Sequence, residues 1–266
     1  MDESHTSENI AKTIKEICDK WDLFDKVTCI VTDNAANMTK ACDLLKKRHL
    51  PCFPHTMNLA VQENFKNTEI QPILKKCKEI VTFFKSSNLA TTKFKEEQRI
   101  LWRGTVNENK TPYKLIQEVT TRWNSCFQMI KRILSTSNAL NSTLLKLKNA
   151  PTPLTADDIE ILKDLEKCLS VFDDATEKIS GSKYVLVSLI IPISFGIYNF
   201  LNTANISTDL GKLFCQGLIE STRNRLFPYE SRTITRISTI LDPRWKKDGF
   251  RSAENANRPP VSWIKK

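Results

Sequence analysis

Hydrophobic spacing sets the first expectations. Ile10, Ile14, Ile17 and Trp21 recur every three to four residues, one apolar stripe along a helix. "DLFDK" breaks the stripe, and the β-branched run "VTCIV" (27–31) is short enough for a buried strand. Beyond Asp33, the spacing of Met38, Ala41, Cys42 and Leu45 predicts a helix over 36–47. "HLPCFP" (49–54) reads as a short extended piece, kept out of helix by Pro51 and Pro54. A further helix is expected from near Thr56, carrying Leu59, Ala60 and Phe65. Helix, strand, helix, extended piece, helix is α/β text.

From Gln71 the period is helical almost throughout. Residues 70–87 and 89–101 predict two helices, Gly104–Pro112 a loop, and 126–147 one long helix with Phe127, Ile130, Ile133 and Leu134 on one face. "NAPTPLTADD" is a linker. Thr155 is placed to cap a helix over 156–180, with Asp157 and Asp158 in its first turn. Helical stretches are expected over 185–202, 208–226 and 231–241. The chain is therefore expected to be mostly α: an α/β start over 1–70, a helical body over 71–245 and a flexible tail over 246–266. One or two strands make no stable sheet. Either the sheet neighbours lie outside this chain or the start packs differently.

Composition adds limits. A 40% hydrophobic content with 6 Gly and 11 Pro in 266 residues fits a globular chain. The most apolar run, Val185–Leu201, holds Ser, Gly and Pro and reads as a core helix, so no membrane association is expected. The acidic start lacks the apolar stretch of a signal peptide. Eight scattered Cys with no C-x-x-C point to reduced thiols in cytosol or nucleus, and to no structural zinc. The net charge of +10 is uneven: residues 37–150 hold 20 Lys/Arg against 8 Asp/Glu. That excess reads equally as a surface facing nucleic acid or as a solvated lysine-rich face.

Three places could carry chemistry. Asp33 follows a strand and precedes a helix, where open α/β sheets place functional groups; it could hold Mg²⁺ or cap the helix. Cys52 and His55 form a C-x-x-H, readable as half a metal site, a thiol–imidazole pair, or a buried thiol beside a structural imidazole. Arg122 and Trp123, in "TRWNS" within the basic segment, offer a phosphate contact and a stacking face; equally, Trp123 could anchor the core, with Asn124 or Ser125 as helix cap.

Together, "VTDNAANM", "PCFPHTMNLAV" and "TRWNS" resemble the hAT (hobo–Activator type) superfamily of DNA transposases, nearest its domesticated, BED-zinc-finger-associated branch. "SLIIPI" and "ISTILDPRWKK" are similar to that branch too, the latter with Trp245 where Phe is usual, so the resemblance runs from about Lys12 to Phe250. It implies a ribonuclease H-like core, here partial, followed by an all-helical insertion domain. It implies three acids holding divalent metal for strand transfer. Asp33 matches the second acid, Cys52 and His55 match the family's C-x-x-H, and Trp123 falls where the family stacks a Trp near a flipped base. The first acid, the third (a Glu), the BED finger and the dimerisation segment have no match in this sequence, and homodimerisation is left open. The expectation is thus a non-catalytic, transposase-derived nuclear module bound to DNA or to protein partners, with at most weak Mg²⁺ binding at Asp33. The alternatives are part of an active metal-dependent transposase, or a scaffold or inert remnant.

Overall fold

The computed structural model describes residues 5–180 and 187–257. The first helix, α1 (Ser7–Lys20), begins where the Thr6 side chain accepts the Asn9 amide at 3.3 Å. Its Ile10 and Ala11 pack on Ala41 and Leu45 at α2 (Ala36–Leu44), with Ile14, Phe24, Ile30 and Met38 around them. Between the two helices runs β1 (Cys29–Thr32), and after α2 comes β2 (Arg48–Pro51). The strands pair in parallel, Cys29 opposite Arg48 and Thr32 opposite Pro51, with α2 as the crossover that parallel pairing requires. The expected buried strand is half open: Val31 is 55% exposed, because the two-stranded sheet has no third strand among the described residues.

The next helix, α3 (Phe53–Phe65), starts before the expected Thr56 and includes Pro54. A proline in a helix's first turn costs nothing, since the amide it lacks has no partner there. Then follow α4 (Gln71–Ser86), α5 (Asn88–Trp102), α6 (Trp123–Ser135) and α7 (Ser137–Leu145). The single helix expected over 126–147 is thus two. The break is Thr136 (φ −124°, ψ 13°), and the Ser135 and Thr136 hydroxyls both bond back to the Arg132 carbonyl. α8 (Ala156–Ile179) carries the cap read from sequence: the Asp158 amide donates to the Thr155 hydroxyl and the Thr155 amide to the Asp158 carboxylate. The chain closes with α9 (Ile190–Thr203), α10 (Asp209–Ser221), a wide turn over Thr222–Leu226, α11 (Thr233–Leu241) and α12 (Ala253–Asn257). Residue 185, where one helix was expected to start, and residues 258–266 lie outside the described residues.

Two compact units emerge, and they differ from the expected linear order. Unit 1 joins Met1–Leu59 to Ile179–Gly196 and Arg223–Lys266; unit 2 joins Ala60–Lys178 to Ile197–Thr222. A boundary near residue 70 was expected; the divisions between these units fall inside α3 and α9, at the end of α8 and in the turn after α10. In unit 1 the stretch expected as a flexible tail is anchored at two points, Phe250 and Ala256, which are buried against Ile191, while most of its other described residues are exposed. In unit 2 one row of α8, Leu162, Leu165, Leu169 and Phe172, is wholly buried. Asp164 on the same helix accepts the Ser207 and Thr208 amides and the Thr208 hydroxyl, clasping the start of α10. Gly211 sits so close that a Cβ there would lie 2.6 Å from the Asp164 Cβ.

Candidate functional site

The register of the strand pair defines the site in unit 1. Thr32 and Pro51 are opposite one another, so the residues that follow them, Asp33 and Cys52, leave the same carboxyl edge. The Cys52 amide donates to the Thr32 carbonyl at 2.6 Å, extending the ladder past Pro51. That edge is where α/β sheets present ligand-binding groups. Asp33 is exposed, and its Oδ1 accepts the Ala35 amide at 3.2 Å, a tight turn ahead of α2. The helix-cap reading is corrected: the N-cap position belongs to Ala35.

Cys52 and His55 are both half-buried, and no hydrogen bond joins their side chains. The histidine that touches the strand end is His49, whose Nε2 lies 2.8 Å from the Thr32 hydroxyl. Among the described residues no three His, Cys, Asp or Glu side chains gather as a metal-holding group. Asp33 supplies one hard oxygen, whereas thiol and imidazole suit softer ions than Mg²⁺, so the fit to magnesium rests on Asp33 by itself.

Two residues far along the chain hold this edge in place, and sequence reading missed both. The Tyr229 hydroxyl donates to the Pro51 carbonyl at 2.9 Å and shares a 2.8 Å bond with the Thr56 hydroxyl, while its ring meets Phe53 edge-on. Burial pushes the phenol up to about 12, against the lowering effect of Thr56. Arg232 reaches the His49 carbonyl at 3.4 Å. Neither residue carries a local signal, since their partners are more than 170 residues away in sequence.

Trp123 and Arg122 belong to unit 2, apart from the residues just described. Trp123 is 2% exposed, its ring against Phe127 and Phe172. The stacking role is therefore corrected: the indole offers no face to a base and serves as a core anchor. Arg122 is exposed at the N-cap position of α6, its carbonyl accepting the Ser125 amide and hydroxyl.

The basic excess also moves. Unit 2 holds 20 Lys/Arg against 17 Asp/Glu, because α8 and its acids share that unit with residues 60–150. Lys76 pairs there with Asp158, Lys78 with Glu118 and Lys146 with Glu97. Unit 1 holds 20 against 13, and the source is its last stretch: residues 223–251 carry 8 Lys/Arg against 3 acids. Of those acids Glu230 binds Arg251, and Asp242 binds Arg244, whose guanidinium holds that carboxyl well below the usual range. Lys246 and Lys247 are exposed and make no ion pair among the described residues.

Residues 50–168 match the family model "ZBED1 RNase-like helical domain". The chain is 28% identical over 238 residues to human "Zinc finger BED domain-containing protein 4", an alignment covering 86% of this chain and 19% of that protein. It is 25% identical over 267 residues to "Putative AC transposase" of Zea mays, covering 91% of this chain and 31% of the relative. It is 22% identical over 291 residues to "Putative transcriptional regulator tpeD" of Talaromyces stipitatus, covering 94% and 32%. The chain thus spans about a fifth to about a third of the length of these relatives.

Proposed function

The chain is related to hAT-type transposases, in the branch that holds the BED zinc finger proteins, and from that premise we propose that it is a DNA-associated, non-catalytic module of a transposase-derived nuclear protein. The observation that carries this reading is the basic stretch 223–251, whose surplus of Lys and Arg suits a phosphate backbone. Contacts of this kind position a protein on DNA and read little sequence. At the carboxyl edge the strand pair offers a single exposed carboxylate, Asp33. One carboxylate would hold Mg²⁺ weakly.

The test is fluorescence anisotropy of a labelled duplex titrated with this chain across a salt series. Affinity should fall steeply with salt, and a Lys246→Glu, Lys247→Glu double variant should weaken binding and flatten the salt slope by about 2. No binding at low salt would overturn the reading. A second reading, metal-dependent strand cleavage, is favoured by the place of Asp33 at the carboxyl edge. Mg²⁺-dependent nicking of the same duplex, abolished by Asp33→Ala, would establish it in place of the first.

A further inference from the structure

Unit 2 holds a cleft of about 340 Å³ between the last turn of α5, the turn that follows it, and the α6–α7 break. Its walls are Leu101, Trp102, Leu134 and Ala139, with Asn107 and Asn138 among its polar groups. No ionisable side chain lines it. Gln98, at its base, is already spent: its amide nitrogen donates to the Tyr113 carbonyl and its oxygen accepts the Tyr113 amide. The turn is fixed before any ligand arrives. The Thr105 hydroxyl donates to the Trp102 carbonyl at 2.7 Å, the Asn107 amide donates to the Thr105 hydroxyl, and the Gly104 amide donates to Glu108. A cleft of this size sits at the lower end of ligand-sized pockets and suits one large side chain.

The stretch that supplies one wall, residues 98–107, and the residues after it are apolar and basic together. Val106 is 96% exposed, and Ile100 and Leu101 are about half exposed. Residues 99–114 hold Arg99, Arg103, Lys110 and Lys114 against Glu108. These four cations are exposed and make no ion pair among the described residues. The adjoining start of α7 has no side-chain cap, since the Ser135 and Thr136 hydroxyls are committed to Arg132.

We propose that this cleft receives an apolar anchor side chain of an acidic peptide segment from a protein partner. A neutral, aromatic-walled hollow takes the anchor, the exposed aliphatic side chains of that stretch cover the backbone beside it, and the four cations meet flanking carboxylates. Charge complementarity selects an acidic partner. The aliphatic side chains select a peptide over nucleic acid, whose interfaces are built mainly from phosphate and sugar contacts. This surface lies in unit 2, so the proposal stands or falls apart from the DNA reading of residues 223–251.

The probes are fluorescein-labelled pentapeptides with a central Phe, Leu or Ala flanked on each side by two Glu, and the Phe peptide flanked by Lys instead, titrated against the full chain. The Phe or Leu peptide should bind about tenfold tighter than the Ala peptide, and the Lys-flanked peptide should not bind. Leu101→Glu or Val106→Glu, both at exposed positions, should each weaken the Phe peptide by about tenfold. Equal affinity for the Phe and Ala peptides would reduce the site to surface charge and overturn the proposal. So would no binding up to millimolar peptide, or displacement of the peptide by oligothymidylate whose own affinity is reduced by Leu101→Glu.

Discussion

The helical core of unit 2 and the α/β start of unit 1 treat large side chains differently. Unit 2 buries Phe94, Phe127, Phe172 and Phe214 completely, whereas the α/β start of unit 1 leaves Trp21 74% exposed and Ile17, Leu23 and Val31 about half exposed. A helix satisfies its own backbone and needs neighbours for one stripe, so a set of helices closes a core from local pattern. A strand needs hydrogen-bonded neighbours on both edges and cover on both faces. The start of this chain has one such pair, and its order depends on Tyr229 and Arg232 from the far end of the sequence. The helical unit is held by many buried apolar side chains and the strand pair by a few specific bonds.

The largest expected effect breaks the comparison at its aromatic anchors. Trp123→Ala removes a buried indole packed on Phe127 and Phe172 and should destabilise unit 2 by about 3–5 kcal/mol. Trp21→Ala, at a position open to solvent, should change stability by no more than about 0.5 kcal/mol. Urea unfolding, with hydrogen exchange read separately in each unit, checks both. Equal losses at the two tryptophans would mean that Trp21 is covered in solution, and the contrast between the units would fail.

A smaller effect is expected at the strand pair. Tyr229→Phe keeps the ring against Phe53 but takes the phenol donor from the buried Pro51 carbonyl and leaves the Thr56 hydroxyl its bond to the Cys52 carbonyl, costing about 1–3 kcal/mol. Hydrogen exchange should quicken in β2 and the first turn of α3 and stay unchanged in α6 and α8. Unchanged exchange in β2 would show that the tyrosine merely packs and does not secure the carboxyl edge.

Legibility in the sequence followed the same division. The stripe of α8 and its Thr155–Asp158 cap were visible because both are local: the period is 3.6 residues and the cap spans three. The break at Thr136 was invisible because Ser, Thr and Asn are tolerated inside helices until their hydroxyls turn back onto the preceding carbonyl. Pro54 misled because a proline forbids the interior of a helix but suits its first turn. Asp33 and Cys52 were singled out separately, and the parallel register that brings them to one edge could not be read from either. The charge map failed for a related reason. Cutting the chain at residue 150 separated the lysines of 60–150 from the α8 acids that share their unit, and concealed the surplus in 223–251.

The smallest expected effect sharpens the comparison within one helix. On α8, burial by itself would raise the Asp158 carboxyl, but the Lys76 ammonium and the Thr155 bonds outweigh it and the net shift is downward. Asp173, about four turns further on, is raised, first by burial and then by Glu177. The signs are opposite. A depressed carboxyl contributes stability that is present above its unfolded value, about 3.9, and is lost as pH falls through the folded value. A raised carboxyl contributes stability that is present below its unfolded value and is lost as pH rises through the folded one. Asp158→Asn keeps an acceptor for the Thr155 amide while removing the charge, so it should lower stability at neutral pH and flatten its decline below about pH 4. Asp173→Asn should leave stability unchanged or raised at neutral pH, with the difference vanishing as the medium is acidified. Urea midpoints measured at intervals through the acid range separate the two variants. Parallel curves for both would mean that neither carboxyl titrates differently in the folded chain, and that α8 is held by its apolar row and not by the charges along its flank.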